Sequence, residues 1–369
     1  MGSKKINKSK RSKKNAGGTR AKIDLAKYVS TKNNECASHV NDLGTGICSS
    51  PNIVVAMVQY NAEANNAEGE KGASEANNAE ANNAGANNAE ANNNTINEIK
   101  NATSITDFIK THPDTIKNEI ESVKKKLKCE NETCVVSNPK FTHFAIHSHI
   151  VNKSELNENL NTRFKPEGPR DNNDWLSNED IDSNLQDWAC EFEDFFPCPF
   201  AMIDFDDTND ELNKHKLHDI YLGNKSKNTI LGKMQVPCRT FGCAINSDVS
   251  SGKGIHWMAL FVDMRPQNEG EPWTIEFFNS AANSPQDSIN KWMDAKKIEL
   301  EEYLKNNNKN NQVILAKVHK LEHQMSSTEC GVYTLFYIRS RLENIPYTKF
   351  LQEVIPDENM EDFRKHCFR

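Results

Sequence analysis

The sequence predicts an α+β fold carried by its second half, preceded by a helical arm and by segments that build no core. Two observations lead there. The five tryptophans fall at positions 175, 188, 257, 273 and 292, where apolar runs become dense. Those runs mix strand-like and helix-like patterns without the strict βα alternation of a wholly parallel sheet. A third observation bounds the arm. Only 36% of the 369 residues are hydrophobic, so part of the chain packs nothing.

Residues 1–22, "MGSKKINKSKRSKKNAGGTRAK", hold nine Lys or Arg and no Asp or Glu, although the whole chain carries −7. This tail is expected to be disordered and to bind polyanions such as DNA or RNA. The acidic remainder excludes a general nucleic-acid binder. A short N-terminal segment, 23–60, follows. Its apolar run "IVVAMVQY" (53–60) is too short to span a bilayer. No apolar stretch follows the basic start, so no secretory signal is expected, and Ile6 stands where myristoylation needs Ser or Thr. The expectation is an intracellular protein without a membrane partner, its ten cysteines free thiols in a reducing compartment.

Residues 61–97 are an Asn/Ala-rich stretch in which "EANNAEANNAGANNAEANNN" repeats a five-residue unit. The unit has no large apolar side chain to offset ordering entropy, so it reads as a flexible linker. Residues 98–169 form the helical arm. In "TSITDFIKTHPDTIKNEIESVKKKLK" (103–128), Ile116, Ile120, Val123 and Leu127 recur at helical spacing. Cys129/Cys134 and Cys238/Cys243 share a C-x4-C spacing, and "HFAIHSH" (143–149) holds three histidines. Both patterns are too loose for a zinc site, so no metal and no cofactor is expected.

Residues 170–369 are the dense domain. "HWMALFVDM" (256–264) and "WTIEFFN" (273–279) read as strands joined by the polar turn "RPQNEGEP". "SINKWMDAKKIELEEYLKNNN" (288–308) reads as an amphipathic helix, "QVILAKVHK" (312–320) as a strand and "GVYTLFYIRSRL" (331–342) as a buried helix.

Cys330 stands between the polar loop "HQMSSTE" and that buried helix. A helix N-terminus favours thiolate over thiol, which makes a nucleophile near neutral pH. Gly331 leaves room beside the sulfur for a substrate backbone. The candidate bases are histidines that open or close strands, among them His256, at the start of a strong strand after a glycine-rich loop. The His256 imidazole needs a partner to fix its tautomer. Asn279 ends the next strand, and Asp263 lies within the first. Gln324, six residues before Cys330, is suited to donate its amide to an oxyanion. Singly, each of these residues is commonplace. Their order, spacing and element types agree together.

H-W at a strand start, "FFNS" and Q-x5-C-G leading into a helix resemble the adenain and Ulp1/SENP superfamily of cysteine proteases, in the papain-like clan. "DWLSNEDIDSNLQDW" (174–188) is similar to the W-L-x-[ND]-x-x-I opening of the Ulp catalytic domain. The resemblance covers residues 170–369 and implies a central mixed sheet flanked by helices. It makes Cys330 the nucleophile, His256 the base and Gln324 the oxyanion donor. The cellular members carry Asp where Asn279 stands; Asn resembles the asfarvirus polyprotein protease. Asn279 is preferred to Asp263, whose position resembles a structural Asp of the family. The resemblance also sets Trp175 and Trp257 face to face across a tunnel that only glycine can thread.

Cysteine endopeptidase activity after Gly-Gly-Xaa or Gly-small sites is therefore expected, on viral structural polyproteins during virion maturation. The expected location is host viral factories and the virion. The Gly17-Gly18 pair in the tail is a candidate for self-processing. The alternatives are a deSUMOylating or deubiquitinating isopeptidase, an acetyltransferase of the same broad clan, and an inactive interaction module. No acetyl-coenzyme A motif supports the acetyltransferase, and the intact His256, Gln324 and Cys330 set argues against the inactive module.

Overall fold

The computed structural model describes residues 35–41, 45–75, 94–99, 101–102, 104–207, 210–265 and 271–369. The tail 1–22 with Gly17-Gly18, residues 76–93 of the expected linker and residues 266–270 of the expected turn lie outside the described residues.

The first half is built from α1 (Pro51–Glu75), α2 (Ile105–Thr111), α3 (Pro113–Leu127), α4 (Glu132–Ser137), α5 (Pro139–His147) and α6 (Lys153–Thr162). The stretch expected as one helix over 103–128 is two. Pro113 has no N–H to continue α2, so His112 closes one helix and opens the next. Ile116, Ile120 and Val123 of α3 bury their stripe against Ile53, Val54 and Met57 of α1, with Val135, Phe141, Leu156 and Phe164 completing one core. The segments expected separately as 23–60 and 98–169 thus share a single hydrophobic interior.

Two expectations are corrected here. The linker does not begin at 61, because α1 continues to Glu75. Asn61 is buried, its Nδ2 donates to the Glu119 carboxylate at 2.6 Å, and Ser122 Oγ donates to its Oδ1 at 2.8 Å. Polar contacts between helices order residues that lack apolar bulk. The ten cysteines are also not all free. Cys36–Cys48 and Cys129–Cys134 are disulfides, whereas Cys238 and Cys243 are thiols. Among the described residues no group of three or more His, Cys, Asp or Glu is placed to hold a metal ion.

The second half holds a six-stranded mixed sheet. Its strands are β1 (Phe195–Pro197), β2 (Ala201–Met202), β5 (Thr240–Asn246), β6 (Trp257–Asp263), β7 (Trp273–Phe278) and β8 (Val313–Val318), while β3 (Ser226–Thr229) and β4 (Gly232–Gln235) form a separate hairpin. The order is β1-β5-β6-β7-β8, with β2 also on β5; β5, β6 and β7 run antiparallel, and β8 lies parallel to β7. Both faces are covered. Ala259 and Phe261 of β6 join Tyr333, Phe336 and Tyr337 of α9 (Cys330–Leu342) in one core. Met258, Leu260 and Val262 join Ile289, Trp292 and Leu300 of α8 (Asp287–Asn306) in another. Side chains alternate across a strand, so a strand buried on both faces reads as an unbroken apolar run, as "WMALFV" does. The central β5 is wholly buried and was not expected from the sequence.

α7 (Asn178–Glu191) follows the W-L stretch, and Ser177 caps it reciprocally with Asp180. It also joins the two halves. The Ser38 N–H and hydroxyl donate to the buried Asp187 carboxylate at 2.9 and 2.8 Å, and burial raises the Asp187 pKa to about 6. The chain closes with α10 (Asp357–Cys367).

Candidate active site

Strand register decides what meets at the ends of β6 and β7. Ala259 pairs with Phe278, which sets His256, just before β6, beside Asn279, just after β7. Asn279 Oδ1 lies 2.9 Å from His256 Nε2 and accepts the Ala281 N–H at 2.9 Å. The backbone donor identifies that atom as the oxygen. His256 Nε2 must then carry the proton, which leaves Nδ1 with its lone pair free to take one. Asp263 sits at the opposite end of β6, where Arg265 and Arg341 hold its carboxylate at 2.6 and 3.0 Å. It is an ion-pair partner remote from the imidazole.

Cys330 is the first residue of α9 and is buried. The backbone N–H groups of Trp257, Gly331 and Cys330 itself reach its sulfur. Burial outweighs them and pushes the thiol pKa up. The pull of the helix N-terminus toward thiolate is thus opposed by burial, and the sulfur depends on a base to take its proton. Burial likewise pulls the His256 pKa down, partly offset by Asn279. Both shifts favour a neutral thiol–imidazole pair at rest.

Gln324 is held from both ends. Ser280 Oγ donates to its Oε1 at 2.8 Å, its Nε2 donates to the Ser326 carbonyl at 3.0 Å, and its own N–H donates to the Ser280 carbonyl at 3.1 Å. One amide hydrogen remains uncommitted by these bonds. The turn after β7 thus supports two groups at once, with Asn279 on the imidazole and Ser280 on the glutamine.

Gly331 does not leave room for a substrate. A Cβ there would sit 2.9 Å from Leu176 Cβ, so the glycine lets α9 close against the W-L stretch. Trp175 and Trp257 line one cleft of about 490 Å³ with Phe200, Met202, Asn246, Lys253 and Ile255. Trp175 is 52% exposed, whereas Trp257 is buried and donates its indole N–H to the Leu176 carbonyl at 3.0 Å.

Sequence reasoning missed three supports: Ser280, Leu176 and Asn246. Asn246 Oδ1 accepts the N–H groups of Asp248 and Ile255, and so closes the loop that delivers His256. The "FFNS" and W-L matches contained the first two. A lone Asn at a strand end gives no such signal. Together the site offers a thiol, an imidazole held in one tautomer and an amide donor, the equipment for nucleophilic attack on a carbonyl carbon.

The Ulp1 protease family, C-terminal catalytic domain, matches residues 245–369, a span that contains His256, Asn279, Gln324 and Cys330. The chain is 42% identical over 247 residues to a cysteine protease of African swine fever virus (a tick isolate from Malawi), covering 67% of this chain and 85% of that protein. It is equally similar, with the same coverage, to a protein named as a SUMO-1 cysteine protease from a Kenyan pig isolate of that virus. The crystal structure of the African swine fever virus protease aligns with a TM-score of 0.61 at 40% identity, covering 69% of this chain and 89% of that one.

Proposed function

The chain belongs to the Ulp1 cysteine protease family, and from that premise we propose that it cleaves viral structural polyproteins after Gly-Gly, or Gly and one other small residue, during virion maturation. The observation that carries the residue roles is the 2.9 Å contact of His256 Nε2 with Asn279 Oδ1, which leaves Nδ1 to serve as base.

In this reading Cys330 Sγ gives its proton to His256 Nδ1 as the sulfur attacks the scissile carbonyl carbon. The Gln324 amide and the Cys330 N–H stabilise the resulting oxyanion. The tetrahedral intermediate collapses to a thioester, and the imidazolium protonates the departing amine. A water molecule then gives a proton to His256, attacks the thioester and releases the carboxylic acid and the thiol. Asn279 stays neutral and keeps the ring in register. No cofactor or metal enters any step. The support for glycine specificity is that Trp175 and Trp257 line one cleft, since two indoles facing each other one peptide thickness apart would exclude a Cβ. The work belongs to the host viral factory and the virion; among the described residues no helix is long and apolar enough to cross a membrane.

Incubating the full chain with matched Gly-Gly and Ala-Ala peptides and reading products by mass spectrometry tests this. Cleavage after Gly-Gly alone, lost in Cys330→Ala, is expected. Equal cleavage of both peptides removes the glycine specificity, and activity retained in Cys330→Ala removes the nucleophile. The name of the Kenyan relative favours one second reading, an isopeptidase acting on SUMO-like conjugates. Release of a ubiquitin-like protein without cleavage of any polyprotein peptide would select it.

A further inference from the structure

Glu329 immediately precedes Cys330, and both it and Arg364 of α10 are almost completely buried. Arg364 Nη2 donates to Glu329 Oε2 at 2.8 Å, while Nη1 donates to the carbonyls of Pro169 and Asp174 at 3.1 and 3.0 Å. One guanidinium therefore grips the start of the nucleophile's helix with one nitrogen and the approach to the W-L stretch with the other. That stretch is already tied to the rest of the site. Leu176 packs where a Cβ at Gly331 would be, and its carbonyl receives the Trp257 indole N–H. The contacts close a ring: Arg364 to Glu329, Cys330 and Gly331, on to Leu176, and back through Asp174 to Arg364.

We propose that Arg364 is a positioning residue that sets the Cys330 sulfur against the cleft wall, so that the C-terminal helix aligns the active site without touching substrate. The inference rests on the reading of Cys330 as nucleophile. A planar fork suits the task, because it holds a carboxylate and two carbonyls in fixed relative directions. A lysine ammonium delivers the charge without those directions. Small displacements matter at this point, since a shift of about 1 Å between reacting groups can cost about a hundredfold in rate.

The test uses the full chain and two readouts: turnover of a Gly-Gly coumarin peptide per titrated active site, and the iodoacetamide alkylation rate of Cys330, with half-buried Cys190 as internal reference. Arg364→Met cuts both grips, Arg364→Lys keeps the charge without the fork, and Glu329→Gln keeps an acceptor oxygen without the charge. Arg364→Met should lower kcat at least ~tenfold and raise KM, because the cleft wall is also freed. Arg364→Lys and Glu329→Gln should each lower kcat by about threefold or more, with KM unchanged in Glu329→Gln. The double variant R364M/E329Q should fall no further than Arg364→Met, since both changes cut one link. Cys330 alkylation should slow in the same order while Cys190 does not change.

Alkylation needs no substrate. An unmodified enzyme that ignores Gly-Gly peptides therefore counts against the substrate reading and leaves the alkylation series to decide this one. Should Arg364→Met not fold, Arg364→Lys and Glu329→Gln decide alone. Values of both readouts within about twofold of the unmodified enzyme in those two variants, with only a lowered Tm, would reduce the pair to a structural tie.

Discussion

Asn279→Asp changes one atom type at the centre of the site. Asn279 is buried, and its Oδ1 serves both His256 Nε2 and the Ala281 N–H at 2.9 Å. Aspartate keeps that shape and adds a charge beside the imidazole. At about 5 Å between charge centres and an effective dielectric constant of about 20, the attraction for an imidazolium is about 3 kcal/mol, or about two pKa units. Desolvating the carboxylate cancels part of it, so a net rise of about one unit in the His256 pKa is expected. In the unmodified protein burial lowers His256 and raises Cys330, which favours the neutral pair. A carboxylate favours the imidazolium, so proton transfer from thiol to imidazole becomes easier. The pH at which Cys330 becomes nucleophilic should then move down by about one unit. The assay is the iodoacetamide alkylation rate of Cys330 as a function of pH, with peptide turnover measured alongside. Turnover should persist in Asn279→Asp. Asn279→Ala should lose about a hundredfold in kcat, because the ring is no longer held. It should also lose about 1–3 kcal/mol of stability for each buried donor left unpaired. An alkylation inflection that stays in place or rises in Asn279→Asp would refute the reasoning.

The other predictions are shorter to state. Gln324→Ala should lower kcat about a hundredfold with little change in KM, as expected for an oxyanion donor; a rise in KM at constant kcat would assign it to substrate binding instead. Gly331→Ala should cost about 1–3 kcal/mol in denaturant unfolding, because its Cβ would sit 2.9 Å from Leu176 Cβ; unchanged stability would show that Leu176 moves aside freely. Stability should decline on the acid side through His323. Burial lowers its pKa to about 4. The unfolded chain therefore takes up a proton near 6.5 that the native state refuses, and stability present above 6.5 is lost as pH falls toward 4, by on the order of 3 kcal/mol. His323→Gln should flatten that decline, and an unaltered pH profile would count against it. Deleting residues 1–22 should remove salt-sensitive DNA binding and leave peptide cleavage in low salt intact; full DNA affinity without the tail would disprove its role.

How much of this was legible in the sequence depends on how far each residue's partner lies along the chain. β6 was readable because a strand buried on both faces leaves a continuous apolar run, and β7 because its aromatic and β-branched residues are strand formers even though Glu276 interrupts them. His256, Asn279, Gln324 and Cys330 were readable because each stands at a junction between elements, where order and spacing survive. The choice between Asn279 and Asp263 needed register. Both are polar residues on adjacent strands, and only the pairing of Ala259 with Phe278 puts one beside the imidazole and leaves the other at the far end with Arg265 and Arg341. Gly331 was misread for a similar reason. A glycine after a nucleophile suggests space for substrate, but the side chain that fills the space is Leu176, far back in the sequence. The start of the linker was misplaced because composition reports apolar bulk, whereas Asn61, ahead of the repeat, is ordered by amide and carboxylate contacts between helices. Arg364 is the extreme case. In "DENMEDFRKHC" it falls on the stripe of Met360, Phe363 and Cys367, at helical spacing, but its charge argues for solvent and the stripe alone names no partner for it. A buried arginine is tolerable only when acceptors converge on it from elsewhere in the chain. Its acceptors come from three separate places, at Pro169, Asp174 and Glu329. The acceptors that make the residue stable are what no local pattern contains, and the proposed bearing of the last helix on the position of Cys330 rests on that same convergence.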